Sequence, residues 1–283
     1  MTMQQIESIQ ALRAKRDQWR ACSERVAFVP TMGNLHEGHL ALVKKAKELA
    51  DRVVVSIFVN PMQFGANEDL SRYPRTLAED KVALESCGVD VVFTPLVDDV
   101  YPRGLAQQTQ VAVPDISNIL CGQSRPGHFQ GVATVVCKLF NMVQPDIAIF
   151  GKKDYQQLLV IKLMVADLSF PTEIVGVDTA RNTQGLALSS RNGYLSAEQK
   201  QAATIIYQSM RALVLDIEGG ATLPSAIAIA KQAWQQHGLV PDYLEVRRQE
   251  DLGLPTQQDT KLVVLAAAYI ENTRLIDNLE FTL

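Results

Sequence analysis

The chain has 283 residues, 47% of them apolar and 20% charged, and a formal net charge of -4, the composition of a globular protein long enough for two domains at about 150 residues each. The acidic balance excludes the basic surface of a nucleic-acid binder, and no run approaches the roughly 18 apolar residues of a membrane span. Cys22, Cys87, Cys121 and Cys137 lie far apart and form no C-x-x-C pair, which argues against a zinc site or a thioredoxin-like dithiol.

Polar and apolar residues alternate from Gln4 to Trp19 with no apolar core, so no secretory signal is expected, and the chain is expected to be cytoplasmic with free thiols. Short β-branched runs then alternate with helix-period segments. Strands are expected at Arg25 to Pro30, Val53 to Asn60, Asp90 to Phe93, Ile147 to Phe150 and Ile174 to Val177. Helices are expected at His39 to Ala50, Thr76 to Cys87, Val132 to Val143 and Tyr155 to Leu168. The apolar continuity of the strands and their alternation with helices predict a Rossmann-like parallel sheet covered on both faces.

After Arg181 the pattern changes. Two long helical segments, Ala197 to Ile217 and Leu223 to His237, precede strand-like Tyr243 to Arg247, Leu262 to Ile270 and Leu275 to Asn278. A smaller α+β domain is expected there, giving residues 1–180 and 181–283 as the two domains, with Ser196 and Gln199 as a capping box at the first helix.

The first strand runs into Pro30-Thr31-Met32-Gly33-Asn34-Leu35-His36-Glu37-Gly38-His39 and directly into an amphipathic helix. A helix N-terminus at the carboxyl end of a parallel strand presents free N–H groups to an anion, and Gly33 and Gly38 would let a phosphate approach the backbone. His36 and His39, three apart, can lie on one side of the first turn. Three familiar motifs fail here. His39 and Leu40 stand where a P-loop needs Lys and Ser or Thr; Leu40 replaces the second histidine of H-E-x-x-H; and no G-x-G-x-x-G occurs.

What remains is H-x-G-H, and four further segments accompany it. Asn60-Pro61-Met62-Gln63 ends the second strand and brings a side-chain amide. Arg125 to Phe129 places a cation and the His128 imidazole in a loop. Gly151-Lys152-Lys153-Asp154 stands between a buried strand and a helix start, a position that favours phosphate. Leu188-Ser189-Ser190-Arg191 brings hydroxyls and a guanidinium to the domain boundary. Singly, these read as well as an Asn-Pro turn, solvated loops and a capped helix.

Together, in this order, they resemble the pantothenate synthetase family, a branch of the H-x-G-H nucleotidyltransferase superfamily, and the likeness extends through Leu275-Ile276-Asp277-Asn278. The resemblance implies an ATP-dependent ligase that converts (R)-pantoate to an acyl-adenylate and joins it to β-alanine. The products would be pantothenate, AMP and pyrophosphate. It also implies Mg²⁺, a homodimer, and a C-terminal domain that closes over the active site.

Carried onto this sequence, the catalytic residues would be His39, His36 and Lys153. ATP would be bound by Met32, Gly33, Asn34, Leu35, His36, Glu37, Gly38 and His39, by Gly151, Lys152, Lys153 and Asp154, by Ala180 through its backbone, and by Leu188, Ser189, Ser190 and Arg191. Gln63, Gln157, His128 and Arg125 would bind pantoate or β-alanine, and Asp80 would be a metal partner. Lys152 departs from the acidic or other polar residue usual at its position. Two rival readings share the fold: another H-x-G-H nucleotidyltransferase acting on a phosphorylated acceptor, and a regulatory nucleotide-binding module without chemistry.

Overall fold

A computed structural model describes residues 2–65 and 68–283. The chain forms two compact units, the first comprising residues up to Lys152 together with Gln157–Asp178, the second Lys153–Gln156 together with Thr179–Leu283. The second unit thus takes Lys153–Gln156, and Thr179 and Ala180, from the span that the sequence reading gives to the first domain.

The first unit is a parallel sheet in the order β1 (Gln4–Ile6), β4 (Val91–Phe93), β3 (Arg52–Ile57), β2 (Val26–Thr31), β5 (Ile147–Gly151), β6 (Glu173–Val177). Its helices are α1 (Ile9–Ala21), α2 (Glu37–Leu49), α3 (Leu77–Ser86), the short α4 (Val97–Val100) and α5 (Cys121–Ser124), α6 (His128–Val143) and α7 (Tyr155–Asp167). Strand β2 shows why this sheet is buried on both sides. Ala27 and Val29 pack with Leu42, Val43 and Ala46 of α2, whereas Phe28, one residue over, meets Phe140 of α6 at 6.3 Å between ring centroids. The period of two along the strand sends alternate side chains into separate cores. After β4 the chain crosses to the far side of β2 and forms β5, so β2 and β5 flank the point where strand order reverses, the place where open α/β sheets bind ligands.

Several boundaries differ from those expected, each for a local reason. The alternation near the N-terminus resolves into β1 and α1, with Ser8 Oγ capping the helix through Ala11 N at 3.2 Å. Inside α1 the buried Arg16 donates to Gln144 O and Asp146 Oδ2, both at 2.9 Å, which ties the helix to the turn before β5. Strand β3 stops at Ile57 rather than Asn60, because Pro61 has no N–H to continue a ladder and the Asn60 side chain caps a 3-10 turn over Pro61–Gln63. Helix α6 begins at His128, four residues before the expected start, after Gly127 turns the chain with φ +81°.

The second unit carries α8 (Ala197–Ala203), α9 (Ile205–Glu218) and α10 (Leu223–Gln236), then an antiparallel sheet β7 (Val240–Arg248), β8 (Lys261–Ile270), β9 (Thr273–Thr282). The expected single helix from Ala197 breaks at Thr204, where the hydroxyl donates to the Gln201 carbonyl at 2.8 Å and the local bond becomes i to i+3. The Ser196 and Gln199 capping box forms, with bonds of 2.8 and 3.2 Å. Trp234 lies at the centre of this core, and its indole N–H is satisfied by Ser209 Oγ at 2.6 Å. Among the described residues no helix is long and apolar enough to cross a membrane.

Helix α6 approaches the Pro61–Gln63 turn at Gly131, where a Cβ would stand 2.2 Å from Met62 O. The obstacle is backbone rather than a flexible side chain, so Gly131→Ala is expected to cost about 1–3 kcal/mol through overpacking. The check is a thermal melt, in which the midpoint should fall by several degrees.

Candidate active site

The loop leaving β2 is shaped by two consecutive residues in the left-handed region, Gly33 (φ +82°) and Asn34 (φ +50°). Glycine is suited to the first of these, since a Cβ there would also meet Ile57 Cγ2 at 3.0 Å and Asp80 Oδ2 at 3.1 Å. The loop is then held by Asp80 of α3. Its Oδ2 accepts the Asn34 amide at 2.9 Å and its Oδ1 the Leu35 amide at 2.7 Å, with the Thr76 hydroxyl at 3.2 Å. Asp80 is buried, and both oxygens serve backbone donors. In this structure the carboxylate expected as a metal partner anchors the loop.

The anchored loop delivers His36 as the N-cap of α2. Its Nδ1 accepts the Gly38 amide at 3.1 Å, and the His36 amide in turn donates to His39 Nδ1 at 3.3 Å. The rings lie 4.1 Å apart between centroids. An imidazole that accepts at Nδ1 carries its proton at Nε2, so both rings are set as Nε2–H donors. Glu37 and Gly38 form the first helical residues, which places two backbone amides in the same turn.

Beside this loop, Gln63 Nε2 lies 2.9 Å from Met32 Sδ, while Gln63 Oε1 accepts from Asn60 Nδ2 at 3.1 Å. Thioether sulfur is a weak acceptor, so a substrate oxygen can take its place at that N–H. Asn60, 1% exposed, uses its whole amide: Oδ1 accepts from Met62 N at 3.2 Å and Tyr101 Oη at 2.7 Å, and Nδ2 also donates to Gly131 O at 3.2 Å. Burial pushes the Tyr101 phenol well above its ordinary pKa, which keeps it a donor.

Arg125 and His128, expected to touch substrate, meet the backbone of Gln63. Arg125 pairs with both oxygens of Glu68 at 2.6 Å and donates to Gln63 O at 3.3 Å. A guanidinium only donates, so its 3.0 Å contact makes His128 Nε2 an acceptor and leaves Nδ1–H to donate to Gln63 O at 2.8 Å. Burial works against the Glu68 carboxylate, but the Arg125 bond and charge hold its pKa below the ordinary value. The ion pair and the imidazole fix the turn that carries Gln63.

At the end of β5, Gly151 lies next to β6, and Lys152 pairs with Asp178 at 2.9 Å. Gln157 is half-buried on α7. Within the second unit, Lys153 and Asp154 belong to a 3-10 turn before α7, and Lys153 O accepts from Asn278 Nδ2 at 2.9 Å. Ala180 O accepts from Leu188 N at 2.9 Å, so these two expected adenosine and phosphate contacts stand opposite one another at the base of a hairpin. Ser189 caps the following turn through Arg191 N at 3.3 Å, with Ser190 and Arg191 its first residues.

Glu68 and Tyr101, which hold the site without belonging to any motif, were missed by sequence reasoning. Glu68 sits in an irregular loop, and Tyr101 follows the two-acid helix α4. No periodicity or spacing marks either.

The chain matches the family described as Pantoate-beta-alanine ligase over residues 4–280. It is 60% identical over 276 residues to the pantothenate synthetase of Shewanella woodyi, covering 98% of each chain, and 60% identical over 274 residues to that of Shewanella amazonensis, covering 97% and 98%. Among solved structures it is similar to pantothenate synthetase from Thermus thermophilus, with 44% identity, a TM-score of 0.91 and coverage of 98% and 99%. It is also similar to the pantoate-beta-alanine ligase of Francisella tularensis complexed with beta-gamma ATP and beta-alanine, with 36% identity, a TM-score of 0.83 and coverage of 98% and 97%.

Replacing Asp80 by Asn leaves one amide acceptor and turns an NH₂ toward the other loop N–H. Asp80→Asn is expected to destabilise the chain by about 1–3 kcal/mol, the cost of a buried donor without an acceptor. Urea unfolding measures it, and an unchanged midpoint would show that the loop holds itself.

Proposed function

The chain belongs to the pantoate-beta-alanine ligase family, and from that premise we propose how its residues make an ATP-dependent ligase of pantoate and β-alanine. A carboxylate does not acylate an amine until its oxygen is part of a leaving group. The pantoate carboxylate attacks the α-phosphorus of ATP and pyrophosphate departs, giving pantoyl adenylate. The β-alanine nitrogen then attacks the acyl carbon, loses a proton, and AMP leaves with the former carboxylate oxygen. No enzyme nucleophile is needed, so the chain's task is to position and to stabilise negative charge.

The observation that carries this reading is the pair of imidazoles set as Nε2–H donors at the N-terminus of α2. We assign His36 and His39 to the ATP phosphates, with the Met32 to Gly38 loop lining the nucleotide, and His39 to proton donation. Lys153 supplies a further positive charge, Ser189, Ser190 and Arg191 bind phosphate oxygens, and the backbone of Ala180, Leu188, Gly151 and Asp154 contacts the nucleotide. Gln63 and Gln157 hydrogen-bond pantoate, whose hydroxyls and carboxylate need directional, uncharged partners.

Mg²⁺ enters with ATP on its phosphates. Magnesium keeps much of its water and takes few protein carboxylates. The assigned setting is a homodimer in the cytoplasm, the two-fold dimer being the commonest soluble oligomer, and all four cysteines are free thiols.

The test is pantoate-dependent exchange of labelled pyrophosphate into ATP without β-alanine, which isolates adenylation. His39→Ala and Lys153→Ala are each expected to melt as the parent does and to lose exchange by about 10²-fold, as on removal of an oxyanion-stabilising donor. Exchange near the parental rate in either variant would remove that residue from the mechanism.

A further inference from the structure

The segment Leu275-Ile276-Asp277-Asn278 has no role in the scheme above, yet Asp277 and Asn278 are polar and almost completely buried, each about 6% exposed. They are successive residues of β9, paired with Ala266 and Leu265 of β8, so their side chains leave opposite faces of the sheet.

On one face, with Leu275 and Phe281 of the helix-covered core, Asp277 receives the Arg181 guanidinium in a two-pronged pair, Nη1 to Oδ2 at 2.5 Å and Nη2 to Oδ1 at 2.8 Å. Arg181 also donates to Gly185 O and Asn278 O, both at 3.1 Å, and its guanidinium lies 3.7 Å over the Tyr207 ring. Every one of these contacts fixes the hairpin whose two legs are Ala180–Arg181 and Ala187–Leu188. On the other face, Asn278 Nδ2 donates to Lys153 O at 2.9 Å. Two residues further along the same face, Glu280 Oε1 accepts from Tyr155 Oη at 3.1 Å, and Gln249 O accepts from that hydroxyl at the same distance. The turn bearing Lys153 is thus tied down at both ends.

We infer that Asp277 and Asn278 are positioning residues for adenylation, one fixing the hairpin that leads into Ser189, Ser190 and Arg191, the other fixing the backbone of Lys153. The inference rests on the phosphate role assigned to Lys153. Neither side chain touches substrate. Because the two are neighbours on one strand, whose register is set by ten paired positions with β8, a shift of either segment against the other has to deform the strand itself.

A double-mutant cycle in the pyrophosphate exchange assay tests it. Asn278→Ala is expected to lower kcat for exchange about tenfold, the worth of one lost hydrogen bond at an aligned group, with KM for pantoate little changed and a melting midpoint within a few degrees of the parent. In the Lys153→Ala background it should cost nothing more, because the group it aligns is gone. Asn278→Gln keeps the amide but moves it by a methylene. It is expected to lose exchange as well, and it completes the cycle if the alanine variant does not fold. Full exchange in a folded Asn278 variant while Lys153→Ala is inactive would overturn the positioning role alone. Losses that add in the double variant would do the same. Full exchange in Lys153→Ala would overturn the role of Lys153, and the inference with it.

Discussion

The geometry of this site depends on a carboxylate that accepts two backbone amides. Asp80, itself buried, stands 46 residues from Asn34 in sequence and accepts its amide together with that of Leu35. A loop with two successive left-handed residues has no regular hydrogen bonds of its own, and two unsatisfied buried amides would each cost about 1–3 kcal/mol. Asp80 takes both donors. Only then does His36 arrive in extended conformation as the N-cap of α2, and only then do the two imidazoles acquire backbone partners that fix their tautomers. A single carboxylate therefore decides where two N–H donors sit.

The same device recurs around the side chain of Gln63. Its own contacts, Asn60 and Met32, lie in front. Its carbonyl is held by Arg125 and His128, and Arg125 is in turn held by Glu68. Arg125 and His128 are engaged with Glu68 and the Gln63 backbone, and the Gln63 side-chain amide rests on neutral partners. This division follows from solvation. A buried unpaired charge is expensive, whereas an amide resting on a thioether gives up little when a substrate oxygen replaces it.

The sheet was legible because parallel strands buried on both faces leave near-continuous apolar runs, and β2, β3, β4 and β5 all do so, while the half-buried edge strand β6 still carries a short β-branched run. The H-x-G-H loop was legible for the same local reason, since it follows a strand and opens a helix. Other features were not. Helix α1 is mostly polar, with Leu12, Arg16 and Trp19 its buried residues, so its pattern is faint. The break at Thr204 depends on one hydroxyl choosing a carbonyl within its own turn. Asp80, Glu68, Tyr101 and the pair on β9 act across 41 to 125 residues of chain, and nothing in local spacing marks a side chain whose partner is a distant backbone group. Sequence reading found the residue types that chemistry needs; what it could not distinguish was which of them face substrate and which face the chain.

The two adjacent lysines make that distinction concrete. Lys152 stands where the family usually has an acidic or other polar residue, and an added positive charge there would be expected to compete with Lys153 for phosphate. Its ammonium lies instead on Asp178, at 2.9 Å. That carboxylate is largely exposed, so the pair contributes little to stability, but it leaves no net charge at the position. Lys153 differs in what is held. Its carbonyl is bound by Asn278, which fixes the start of the side chain rather than its end. Of the two lysines it is Lys153 whose backbone is fixed by a buried side chain.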